Sequence, residues 1–96
     1  MKLTVEFSGG LELLFGGKKN IALDVIFKNK AVMSELLVWM RDNLVTERPD
    51  LFMKSETVRP GILVLINEAD WELCGTLDAE LKEGDNVVFI STLHGG

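Results

Sequence analysis

Few residues in this chain could do chemistry, and most of those fail on number or spacing. A zinc site needs three or four Cys, His or carboxylate ligands, and the chain offers one cysteine, Cys74, and one histidine, His94, so no metal centre is expected. A four-cysteine iron–sulfur cluster is excluded on the same count. Cys74 stands beside Leu73 and is expected as a small buried hydrophobe, not a nucleophile. Glu80 and Glu83 fall in a stretch expected to be solvated, which sets no pair of carboxylates across a cleft for acid–base work. Gly9-Gly10 and Gly16-Gly17 carry neither the Gly-Lys-Ser/Thr nor the G-x-G-x-x-G pattern of phosphate loops and are read as turns. Trp39 is read as core, and Trp71 as core or edge packing.

What remains is the last pair, Gly95-Gly96. At a glycine usage of about 7%, such a pair arises by chance in roughly one chain in two hundred. It follows an apolar strand that stops near Ser91 and a short polar stretch. A carboxylate is a poor acylating group because oxide would have to leave, so it must first be adenylated or similarly activated inside another protein. Glycine has no Cβ and accepts almost any backbone dihedral, so a Gly-Gly end can thread a channel that any side chain would block. Gly96 is therefore the candidate reactive residue, through its carboxyl, and Gly95 serves channel passage. The bland alternative is a frayed end or a fusion scar.

These residues need a rigid platform, and the hydrophobic patterning supplies one. In residues 2–8, Leu3, Val5 and Phe7 alternate with Lys2, Thr4, Glu6 and Ser8, the period of a half-buried strand. Ile21, Leu23, Val25 and Phe27 repeat it and are expected to pair antiparallel with the first strand. Leu11, Leu13, Leu14 and Phe15 between them should fold back onto the sheet edge. Over residues 31–45 the step changes to three and four, with Met33, Leu36, Leu37, Met40 and Leu44 on one stripe, predicting the single long helix with Asn29 as its N-cap. Residues 46–61, with Pro49 and Pro60, read as an irregular excursion with one helical turn around Leu51-Phe52-Met53. Residues 62–67 read as a buried strand, 71–73 as a brief edge strand, 77–85 as a turn-rich approach, and 86–91 as the last strand.

The order β-β-α-β-β-β gives an α+β domain: a mixed sheet with one main helix on one face and the last strand laid centrally beside the first. Residues 1–92 form the domain and 93–96 a flexible tail. Because Val87, Val88, Phe89 and Ile90 are apolar on both sides of a strand that one helix covers once, either part of the open face is a partner surface or residues 46–61 cover it.

Composition narrows the class further. At 96 residues, 47% hydrophobic and 26% charged, the chain suits one small soluble domain burying roughly two-thirds of its unfolded surface. No apolar run approaches the roughly 18 residues of a membrane span, and the alternating start is unlike a secretory signal. A formal charge of −5 disfavours direct nucleic-acid binding and favours a basic protein partner. The single cysteine suits a reducing compartment.

Four stretches carry a family resemblance: Phe7-Ser8-Gly9-Gly10-Leu11-Glu12-Leu13-Leu14-Phe15; Ile66-Asn67 followed by Asp70-Trp71-Glu72-Leu73; Leu81-Lys82-Glu83-Gly84-Asp85; and Phe89-Ile90-Ser91-Thr92-Leu93-His94-Gly95-Gly96. Together they resemble the β-grasp ubiquitin-like proteins, and among these the ubiquitin-related modifier family of eukaryotic sulfur carriers, over essentially the whole chain. The Glu-Gly-Asp turn is shared with molybdopterin synthase small subunits and thiamine-pathway sulfur carriers.

The resemblance implies a protein that is not itself an enzyme and holds no cofactor. An activating enzyme with adenylyltransferase and rhodanese-like domains would spend ATP to adenylate Gly96 and convert it to a thiocarboxylate. A tRNA thiolation complex would take that sulfur for the wobble uridine of cytosolic tRNAs, and Gly96 would also be joined by isopeptide bonds to lysines of target proteins. A cytoplasmic monomer is implied. His94 either aids recognition or has no dedicated part. The tail lacks the arginines of ubiquitin's own end, so a ubiquitin-activating enzyme should reject it. Two rival functions stay open: a non-covalent ubiquitin-like interaction domain, and the small subunit of a molybdopterin synthase.

Overall fold

Alternation along residues 2–8 is realised as strand β1 (Lys2–Ser8), which buries Leu3, Val5 and Phe7 and turns Lys2, Thr4 and Ser8 to solvent. In the computed structural model, which describes residues 1–92, it is followed by β2 (Asn20–Asp24), helix α1 (Met33–Asn43), a small hairpin of β3 (Met53–Lys54) and β4 (Thr57–Val58), then β5 (Ile62–Ile66), β6 (Ala69–Asp70) and β7 (Asn86–Ser91). The main sheet runs β2-β1-β7-β5-β6, with β7 parallel to β1 and antiparallel to β5. The expected mixed sheet, single main helix and central last strand are all present. No helix among the described residues is long and apolar enough to cross a membrane.

The helical stripe does the expected packing. Met33, Leu36, Leu37 and Met40 are fully buried against the inner face of the sheet, where Val5, Val64, Val87 and Phe89 meet them in one core. Four phenylalanines close one end of that core. Phe7 stacks on Phe15 with centroids 4.0 Å apart, while Phe52 lies edge-on to Phe15 at 5.1 Å and to Phe89 at 5.5 Å, the T-shaped arrangement that ring quadrupoles favour.

Several local expectations need correction. The helix begins at Met33, not Ala31, because Ala31 and Val32 stay extended: Val32 bridges Glu80, and the Ala31 carbonyl accepts the Leu81 N–H at 2.8 Å. Asn29 is therefore not the N-cap; Val32 occupies that position without a side-chain cap bond. Strand β2 ends at Asp24 rather than Phe27, although the Val25 N–H still reaches the Met1 carbonyl at 2.9 Å. The helical turn in the excursion is Pro49–Leu51, and Phe52-Met53 is core and strand instead. The edge strand is Ala69–Asp70, and Trp71–Leu73 is a tight 3-10 turn that buries Trp71. The β5–β6 hairpin requires this, since Asn67 and Glu68 both take positive φ (49° and 73°), as the central pair of a mirror-image turn must. Leu11, Leu14 and Phe15 are buried as expected, but Leu13 is exposed.

The excursion goes to the helix side, where Phe52, Met53 and Val58 are buried. The other face of β5 and β7 therefore keeps Leu63, Leu65, Val88 and Ile90 as adjoining apolar residues, with Val88 opposite Leu65 and Ile90 opposite Leu63.

Candidate functional site

The candidate site is the place where β7 hands the chain on to its last residues, and it is built from both ends of that strand. At the start, the Glu83-Gly84-Asp85 turn is fixed by its own backbone and by its acids. Gly84, at φ 85°, donates its N–H to the Lys2 carbonyl at 2.7 Å, and Glu83 Oε2 accepts the Lys2 N–H at 3.1 Å. The Asp85 carboxylate accepts the Lys82 N–H at 2.8 Å and the Asn67 side-chain amide at 2.8 Å, while Asn67 Oδ1 accepts the Asn86 N–H at 2.9 Å. The first residue of β7 is thus tied to the turn on either side of it.

At the far end two glycine loops grip the strand. Gly9 lies against Ser91 so closely that a Cβ there would fall on the Ser91 carbonyl oxygen, and its φ of +71° already disfavours any side chain. On the opposite side the Gly61 carbonyl accepts both the Thr92 N–H at 2.8 Å and the Thr92 hydroxyl at 2.6 Å. Between these clamps β7 runs as a central strand with ladders to β1 and β5, so its path into Thr92 is set by the β1 pairing up to Ile90 and by the bonds to Gly61. Leu93, His94, Gly95 and Gly96, with the carboxyl expected to react and the expected tail, lie outside the described residues.

The other residues weighed for chemistry are dispersed. Cys74 is exposed, contrary to its expected burial: it follows the Trp71–Leu73 turn, whose buried member is Trp71, and its Sγ reaches only the Asp70 carbonyl at 3.7 Å. Glu83 is spent on the Lys2 N–H, and Glu80 sits in a backbone bridge with Val32, so the two do not face one another across a cleft. Among the described residues no cluster of His, Cys, Asp and Glu could hold a metal ion. Trp39 is only partly buried, lying at the margin of the core instead of within it. One carboxyl is clearly perturbed: Glu35 is held below its ordinary value, first by the Lys30 N–H, then by the Asn29 and Lys28 N–H groups and the Lys28 charge, against the opposing pull of partial desolvation. Those bonds run 2.8, 3.3 and 3.0 Å from Lys30, Asn29 and Lys28, and they hold the turn before α1.

Gly9, Gly61 and Thr92 hold the end of β7, which the sequence did not disclose. Gly9 was legible only as a turn residue, and its closeness to Ser91 requires the parallel register that sets Ser8 opposite Ile90.

A mixed sheet with a central parallel pair, one main helix on its inner face and the chain leaving from the middle strand defines the β-grasp, ubiquitin-like class of small protein. The chain belongs to the Urm1 (ubiquitin related modifier) family, whose model matches residues 2–96. It is 58% identical over 96 residues to the "Ubiquitin-related modifier 1 homolog" of Drosophila simulans, covering all of this chain and 95% of that one. Its fold matches the solution structure of Urm1 from Trypanosoma brucei with a TM-score of 0.83 at 44% identity, over 99% of this chain and 95% of that one. A chain from the BexX/CysO complex of Amycolatopsis orientalis matches with a TM-score of 0.72 at 26% identity, over 98% and 99% respectively. The chain is accordingly a ubiquitin-like modifier and sulfur carrier by family, not an enzyme, and its family implies an activating enzyme and conjugation targets.

Proposed function

We propose that the chain is a sulfur carrier for 2-thiolation of the wobble uridine of cytosolic tRNAs, working in the cytoplasm, with a second role as a modifier joined to target lysines. A Gly96 carboxylate oxygen attacks the α-phosphorus of ATP held by an activating enzyme, and pyrophosphate leaves. The outer sulfur of a persulfide on that enzyme's rhodanese-like domain then attacks the Gly96 carbonyl, AMP leaves with the carboxylate oxygen, and an enzyme thiol cleaves the resulting S–S bond, giving the Gly96 thiocarboxylate and an enzyme disulfide. The tRNA thiolation complex takes that sulfur; alternatively a lysine amine attacks the activated carbonyl and an isopeptide bond forms. Gly95, without a Cβ, passes the enzyme's channel.

One observation carries this reading: β7 is clamped at Ser91 and Thr92 by Gly9 and Gly61, four residues short of Gly96. Fixing the departure point lowers the entropy of presenting the end to an enzyme. The apolar residues Leu63, Leu65, Val88 and Ile90 lie on the same two strands and offer that enzyme a surface to grip.

Intact-mass analysis after incubation with ATP, the activating enzyme and a sulfur donor tests the reading. Replacement of one oxygen by sulfur, localised to Gly96, is the expected result. Adenylation that survives deletion of Gly96 would overturn it.

A further inference from the structure

The side of the molecule away from this exit holds an edge strand with open backbone and, just past its end, a partly apolar groove. Strand β2 is one of the sheet's two outer strands, and its bonds to β1 alternate in a fixed phase. The Val25 N–H donates to the Met1 carbonyl, the Met1 ammonium donates to the Val25 carbonyl at 2.8 Å, and the Lys19 carbonyl accepts the Phe7 N–H at 2.8 Å. Antiparallel ladders alternate, so Ile21 and Leu23 also face β1, while Ala22 and Asp24 present N–H and C=O to the far side. Among the described residues no backbone bond takes those groups.

Where β2 runs out, a groove of about 450 Å³ opens between the following segment and the outer face of α1. Its apolar lining is Val25, Ile26, Phe27, Val38, Trp39 and Leu77. Ile26 is 87% exposed, and Val38 is exposed beside it on the helix. The volume falls within the range of about 300–1,000 Å³ usual for ligand clefts. The charges along it are uneven. Lys28 stands at the turn before α1, where the Glu35 carboxylate is consumed by the N–H groups of residues 28–30. Glu56 and Asp42, the latter in an exposed ion pair with Arg41 at 3.1 Å, lie toward the other end, in a protein whose formal charge is −5.

We propose that this groove binds an extended segment of a partner protein, apolar at alternate positions and ending in basic residues. The segment pairs its backbone with Ala22 and Asp24, lays alternate side chains against Ile26, Val38 and Trp39, and sets its lysines or arginines toward Asp42 and Glu56. Strand addition takes affinity from main-chain bonds and specificity from pockets for every second side chain, and both are on offer here. Strand β1 separates β2 from β7, so the groove can be filled while the chain exit is engaged. The inference does not depend on the carrier chemistry of Gly96.

The probe is a synthetic peptide in which valine and threonine alternate ahead of a short run of lysines, titrated into the 15N-labelled full chain. Amide shifts at Ala22, Asp24 and Ile26 and at the Trp39 indole are expected. Affinity should fall about tenfold or more in Ile26→Asp, a change at an exposed position that should leave the remaining spectrum in place, and by a similar factor when glutamates replace the lysines. Deleting Gly96 should leave binding intact, which separates a failure here from a failure of the carrier reading. Absence of shifts at millimolar peptide, shifts confined to Val88 and Ile90, or unchanged affinity in Ile26→Asp would overturn the proposal. Concentration-dependent self-association that Ile26→Asp abolishes would overturn it too, by assigning the groove to a second copy of the chain.

Discussion

Strands β7 and β2 lie in one sheet, two places apart, and are treated in opposite ways. Strand β7 is bonded on both flanks, tied at its start by Asp85 and Asn67 and clamped at its end by Gly9 and Gly61. Strand β2 is bonded on one flank and open on the other, and the groove beside α1 begins where the strand ends. The contrast teaches that this small fold spends its backbone bonds on fixing where the chain leaves, and keeps the outer ladder of β2 open.

Amide exchange measures that contrast with the widest range. The N–H groups of Val87, Val88 and Phe89 should exchange only on global opening, whereas those of Ala22 and Asp24 should exchange near the rate of open chain, a difference on the order of a thousandfold or more. Equal protection would erase the distinction. Next in size is Phe89→Ala, which removes the ring that Phe7 and Phe52 pack against and should cost about 3–5 kcal/mol in urea denaturation. Gly9→Ala, distant from the ring contacts in kind, tests the clamp: positive φ and collision with Ser91 should cost about 1–3 kcal/mol. A neutral result would show that the loop and the exit are not in close approach. Thr92→Val deletes the hydroxyl bond to Gly61 and should cost about 0.5–1 kcal/mol, because the backbone N–H keeps its bond to the same carbonyl.

The smallest effect belongs to Glu35, on the groove side. Its folded value lies below the ordinary 4.5, so its contribution is fully present above that value and is lost as pH falls through the lower folded one. Glu35→Gln should lower stability slightly at neutral pH and flatten the acid limb, so that thermal melts of the two proteins converge as pH falls through the folded value.

Much of this was legible in the sequence because hydrophobic period maps directly onto burial. Strands β1 and β7 fall where alternation and apolar runs put them, and the α1 stripe buries as its spacing requires. What escaped depended on contacts across the chain. Ala31 looks helical until Leu81 claims its carbonyl, and Asn29 looks like a cap until Glu35 takes the surrounding N–H groups. Cys74 looks buried until the hairpin turn at Asn67-Glu68 sends Trp71 inward instead. The clamp at Gly9 could not be read from spacing at all, because a glycine that avoids a collision leaves no pattern of its own.

The central claim concerns the chain's end, and a mass measurement tests it most directly. After exposure to ATP, activating enzyme and sulfur donor, fragmentation should place one oxygen-to-sulfur exchange on Gly96, in wild type and in Ile26→Asp alike. An unaltered Gly96 despite competent enzyme, or sulfur found on Cys74 instead, would contradict the account.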